Sequence, residues 1–131
     1  MIRRQYTLYL ENKPGMLAMV TEALAKNHVD IEGISVAEST DTALVQIVVD
    51  HAARAEKALT TAKIPHTSQD VSVIVLDHQP GVLASLTSKL LKAGVNINYI
   101  YATAVPGCDK SGVVISADDQ NKVEKVAAGK R

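Results

Sequence analysis

A chain of 131 residues can bury one ordinary core, or two small ones that support each other, since very small units bury too little surface alone. Fourteen basic residues balance fourteen acidic ones with no block of either sign, which argues against the strong field that draws a nucleic acid or an anionic membrane. With no Trp and no Phe, the core has to come from Val, Ile, Leu and Ala, a composition suited to thin helix-on-sheet layers.

Residues 5 to 11 alternate, with Tyr6, Leu8 and Leu10 on one face, and read as a strand. The run NKPGML, 12 to 17, follows, and Pro14 is expected to open a helix, because proline costs nothing in a first turn. Leu17, Val20 and Leu24 make the apolar stripe of that helix. His28 stands where a left-handed cap is needed to end it, at a small steric cost. Strands at about 30 to 38 and 42 to 50 come next, joined by the polar turn Glu38-Ser39-Thr40-Asp41. A second helix then buries Ala52, Ala55, Leu59 and Ala62, and a short strand near Ile64 to Ser68 is limited by Pro65 to an edge position.

The same order begins again. Residues 10 to 34 aligned with 76 to 100, an offset of 66, share eleven identities, among them Pro14, Gly15, Leu17, Leu24 and Ile31. Around Glu56-Lys57 the match to Glu124-Lys125 runs at an offset of 68, which places a two-residue insertion near Val105-Pro106-Gly107. The chain is a tandem duplication. Copy two reads as a strand from Val71 to Asp77, the corner HQPGVL at 78 to 83, and a helix carrying Leu83, Leu86 and Leu90 that Gly94 ends. Strands at about 95 to 104 and 111 to 117 and a helix capped by Asp119 complete it.

Each copy is therefore βαββαβ, the ferredoxin-like α+β plan, with the units side by side over 1–69 and 70–131. The second lacks its last strand, since only Ala-Ala-Gly-Lys-Arg follows its second helix. The strand Val73 to Leu76 then becomes an open edge, to be covered by another subunit or by the linker around His66 to Asp70.

The corners carry the chemistry. A strand ends, Pro sets the turn, and Gly15 or Gly81 removes a side chain where the unpaired first amides of a helix point outward and attract a carboxylate. A Pro-Gly turn that simply enters a helix is the plainer alternative.

The runs LENKPGMLAMVTEALAKNHVDIEGISVAES and LDHQPGVLASLTSKLLKAGVNINYIYA resemble the ACT domain, a small amino-acid-binding regulatory module, and together cover nearly the whole chain, as in stand-alone tandem ACT proteins. The resemblance implies units that pair through their second strands and a free amino acid bound at the seam between a corner and the neighbouring unit. It implies site residues Asn12, Lys13, Pro14, Gly15, Met16 and Leu17, with Asp30 and Ile31 at the start of the second strand. In copy two these become His78, Gln79, Pro80, Gly81, Val82 and Leu83, with Asn96 and Ile97. Asn12 is the first choice for the ligand's ammonium. Because His78, Asn96 and Val82 replace Asn12, Asp30 and Met16, the two sites should be unequal. His78 capping its helix or facing water is the alternative.

The remaining candidates are weaker. His28, His51, His66 and His78 show no i, i+4 pair and no accompanying Cys pair, so no metal site is expected. Cys108, beside Asp109, has no basic neighbour to activate it, and no disulfide partner. No Walker loop, dinucleotide fingerprint or nucleophile elbow is present, so neither a cofactor nor catalysis is expected. Ile97, Tyr99 and Tyr101 are assigned to the open face of the sheet, either as an interface or by ordinary strand preference. The expectation is a soluble, cytoplasmic regulator that binds a free amino acid, forms a homodimer and has no nucleic-acid or membrane partner. A non-catalytic subunit that assembles with an amino-acid metabolic enzyme is the alternative, and an enzyme of unrecognised type the least supported.

Overall fold

The structure is a computed structural model that describes residues 1–129. The end of the expected second unit, Lys130 and Arg131, lies outside the described residues. Two compact units are present, one of Arg4–Gln69 and one running from Asp70 onward that also takes in Met1–Arg3.

In the first unit β1 (Ile2–Glu11), α1 (Met16–Lys26), β2 (Ile31–Glu38), β3 (Thr42–Val49) and α2 (Ala52–Thr61) lead into β4 (His66–Asp77). Its strands lie in the order β2-β3-β1-β4, with β3 antiparallel to both β1 and β2. Tyr6, Leu8 and Leu10 alternate onto the helix side, where they meet Val20, Leu24, Ala55, Ala58 and Leu59 in one core. His28 does take the left-handed position that ends α1, at φ 56°.

The second unit repeats the plan with the rest of β4, α3 (Val82–Lys92), β5 (Ile97–Ala104), β6 (Lys110–Ala117) and α4 (Gln120–Ala127). Ile74, Leu86, Leu90, Val113, Ile115 and Val123 form its core. Asp119 caps α4 by accepting the Lys122 N–H at 3.1 Å. Ser72, fully buried, is satisfied by the Gln120 side-chain amide at 2.8 Å, so its burial leaves no orphaned hydroxyl.

No strand follows α4 among the described residues. The expected open edge, Val73 to Leu76, is met only at its first residue: the Val73 N–H donates to the Met1 carbonyl at 2.8 Å and the Met1 ammonium to the Val73 carbonyl at 3.0 Å, while Val75 stays 69% exposed. That ammonium also pairs with Glu124 of α4 at 2.6 Å. The short edge strand expected near Ile64 to Ser68 and the linker expected around His66 to Asp70 are one strand, because the last strand of copy one and the first of copy two are fused into β4, which lies between β1 and β6 rather than at an edge. Pro65, with no N–H to donate, stands just outside β4 and still accepts from Tyr9 at 3.1 Å.

Two further expectations shift. The helices begin at Met16 and Val82, two residues after the prolines, so the buried stripe is Met16, Val20 and Leu24, repeated as Val82, Leu86 and Leu90. Leu17 and Leu83 fall off it and remain 39% and 45% exposed. A bulge between Ile97 and Tyr99 reverses the alternation of β5. Ile97 consequently packs on the helix-side core, and only Tyr99 and Tyr101 lie on the opposite face, where they are partly buried rather than open.

Candidate functional site

Both corners are built by the same backbone bonds. At the first, the Asn12 N–H donates to the Asp41 carbonyl at 2.9 Å and the Lys13 N–H to that of Glu11 at 3.0 Å. At the second, His78 donates to Asp109 at 2.8 Å and Gln79 to Asp77 at 3.1 Å. Gly15 and Gly81 sit at φ +88° and +92°, the left-handed region that a Pro-Gly type II turn requires at its third residue. Val82 closes the second turn by donating to the Gln79 carbonyl at 3.3 Å. A Cβ on either glycine would meet nothing within 4 Å, so the space over each turn is open. Neither helix has a side-chain cap, and apart from the Val82 N–H this leaves the first-turn amides to whatever approaches the corner.

The surroundings then diverge. The Asn12 side chain donates to Glu38 Oε2 at 3.3 Å and to the Ser39 carbonyl at 3.2 Å, bridging the first corner to the end of β2. Its NH2 group is thereby oriented, and the side-chain oxygen is the acceptor it presents. Lys13 pairs with Glu11 at 3.2 Å. Met16 packs partly against the core.

At the second corner the position of Glu38 is taken by Ala104 and that of Val36 by Ala102. A cleft of about 480 Å³ opens there, walled by the corner from Leu76 to Leu83 and by Ala102, Ala104, Ser111 and Val113 of β5 and β6. Asp77 and Lys110 form an ion pair at its rim, and that contact with Asp77 raises the Lys110 pKa.

Asp30, Ile31, Asn96 and Ile97 are not brought to the corners of their own units. They begin β2 and β5, whereas the corners lie where those strands end, and an eight-residue strand spans about 26 Å. Asp30 and Asn96 are held instead by Asp50 and Asp118, whose carboxylates accept their N–H groups at 2.8 and 3.0 Å. Ile31 and Ile97 pack on their cores. Glu38, Ala102, Ala104 and the Asp77–Lys110 pair were missed in the sequence. Superposing the two copies and following the strand register would have found the first three, because Glu38 and Ala104 end strands that return to the corner.

A protein-family model described as an ACT domain pair matches residues 1–131. The chain belongs to the ACT domain family. This ACT pair is 32% identical to a protein from Bacteroides thetaiotaomicron of known crystal structure, with a TM-score of 0.89 over 98% of this chain and 88% of that one. The regulatory subunit of aspartate kinase from Thermus thermophilus shares the fold at 20% identity and a TM-score of 0.72, covering 98% of the ACT pair and 94% of that chain. The corresponding subunit from Thermus flavus does so at 19% and 0.63, covering 98% and 91%. A search of curated proteins found no match. No helix among the described residues of the ACT pair is long and apolar enough to cross a membrane.

Proposed function

We propose that this ACT pair is a non-catalytic, cytoplasmic regulator that binds a free amino acid at its strand–helix corners. The observation that carries the reading is the repeated corner itself, with a left-handed glycine, open space above it and helix amides that no side chain caps. A ligand carboxylate there gains hydrogen bonds and dipole attraction, while Asn12 supplies an acceptor for an ammonium group at the first corner.

A homodimer belongs to the same reading, and the exposed outer strands support it. β2 and β5 are outer strands, and Ile34, Val36 and Ile100 on them are exposed. An antiparallel pairing of β2 with its copy sets the start of one strand beside the end of the other. Asp30 and Ile31 of one chain would then approach the Asn12 corner of its partner and complete a site in the homodimer.

A second reading, a subunit that assembles with an amino-acid metabolic enzyme, draws on the aspartate kinase regulatory subunits that share the fold. A thermal-shift screen of the twenty amino acids tests the first reading: a ligand at 100 times its Kd stabilises the folded state by about 2.7 kcal/mol, a shift of several degrees. No shift with any of the twenty, together with copurification of a stable heteromer, would favour the second.

A further inference from the structure

We infer that the cleft beside the second corner is a side-chain pocket for an amino acid with a large apolar side chain, and that Ala102 and Ala104 are the residues that set its size. The inference rests on the amino-acid reading above and adds the class of ligand and the unit that takes it.

The lining carries the argument. Leu76, Val82, Leu83 and Val113 make the walls apolar, and Ala102 and Ala104 add methyl groups where longer side chains would fill the space. The register places Ala102 opposite Val113 and Ala104 opposite Ser111, so both alanines stand on the helix side, facing the corner. A volume of about 480 Å³ with a few polar groups at its edge is what a small, mostly apolar ligand requires. The polar groups also select. Asp77 is already paired with Lys110, so that pair offers no net charge to a charged side chain. An acidic side chain would meet the Asp77 carboxylate, and a basic one would have to displace Lys110.

The first unit shows what closing the cleft takes. Val36 and Glu38 stand at the positions of Ala102 and Ala104, Met16 replaces Val82, and Asn12 holds the Glu38 carboxylate across the gap. Importing those residues into the second unit is therefore compatible with the fold, since the same strand already carries them in copy one.

The test is an NMR titration of the full chain, labelled with nitrogen-15, using L-alanine, L-valine, L-leucine, L-phenylalanine, L-aspartate and L-lysine. Leucine and phenylalanine should perturb the amides of residues 78 to 83, 102 and 104. Affinity should rise about fourfold for each added methylene from alanine to leucine. Ala102→Val and Ala104→Glu should each weaken leucine binding at least tenfold without loss of the folded spectrum. Aspartate or lysine binding the cleft as tightly as leucine would overturn the inference while leaving the amino-acid reading standing. So would apolar ligands that perturb residues 12 to 17 instead, or variants that bind unchanged. Silence from all six at both corners would overturn the inference, and silence from all twenty in the thermal-shift screen would overturn the amino-acid reading as well.

Discussion

The corner at Asn12–Leu17 and the corner at His78–Leu83 have the same backbone and different mouths. Their main-chain bonds agree to within about 0.1 Å, and their glycines differ by only a few degrees in φ. What separates them lies on the strands that come back to face them, where Val36 and Glu38 crowd the first and Ala102 and Ala104 open the second. Duplication preserved the part that folding depends on, the turn and the helix start. The part that decides which molecule fits was free to diverge, because exposed strand ends contribute little to the core.

If the scaffolds are equivalent, matching core substitutions should cost the same in both. Leu24 and Leu90 are fully buried at corresponding positions, so Leu24→Ala and Leu90→Ala should each lose about 2–5 kcal/mol in chemical denaturation. A large disparity would break the equivalence. The edge of the second unit should prove its own weak point. Removing Met1–Arg3 deletes two hydrogen bonds to Val73 and the ion pair to Glu124, a loss of about 1–3 kcal/mol. Amide exchange at Val73 should accelerate while that at Ile47 of the first unit stays slow.

The turns give a smaller and again matched effect. Gly15→Ala and Gly81→Ala meet no neighbour but force an L-residue into a left-handed conformation, at about 1–2 kcal/mol each by thermal melts. Unequal losses would mean that one turn is strained for a reason of its own.

The smallest effect belongs to the first unit alone. His66 Nδ1 lies 2.7 Å from the Ile64 carbonyl and Nε2 lies 3.0 Å from the Glu56 carboxylate. Both partners only accept, so the protonated ring finds an acceptor for each of its N–H groups. Burial opposes that charge, but the Ile64 carbonyl and Glu56 outweigh it and raise the pKa above the ordinary 6.5. Since the folded value is the higher one, the stabilisation is complete below pH 6.5 and disappears as pH rises through the folded pKa. Glu56 is half exposed, so the effect should be about 0–1 kcal/mol. It should be visible as a ring titration midpoint above 6.5, and His66→Gln should flatten the pH dependence.

Periodicity and the repeat made most of this legible in advance. The alternation of Tyr6, Leu8 and Leu10, the left-handed caps at His28 and Gly94 and the cap at Asp119 all follow from short-range rules. The missed features depend on groups far apart in sequence. The pairing of Met1 with Val73 crosses 72 positions, and nothing local to Ile2 or Arg3 announces it. The bulge after Ile97 is a ladder irregularity, and a single skipped residue was enough to put Ile97 on the wrong face. The cleft escaped notice because it is made by what Ala102 and Ala104 lack.

The route of the chain through the second unit has a consequence for synthesis. Met1–Arg3 are translated some seventy residues before Val73, the strand position with which Met1 pairs. The first unit can close once Gln69 has emerged, whereas the opening tripeptide must wait for the second half of the polypeptide before it finds its place. Vectorial assembly of the pair therefore starts from Arg4–Gln69, and the segment before it settles only with the second unit.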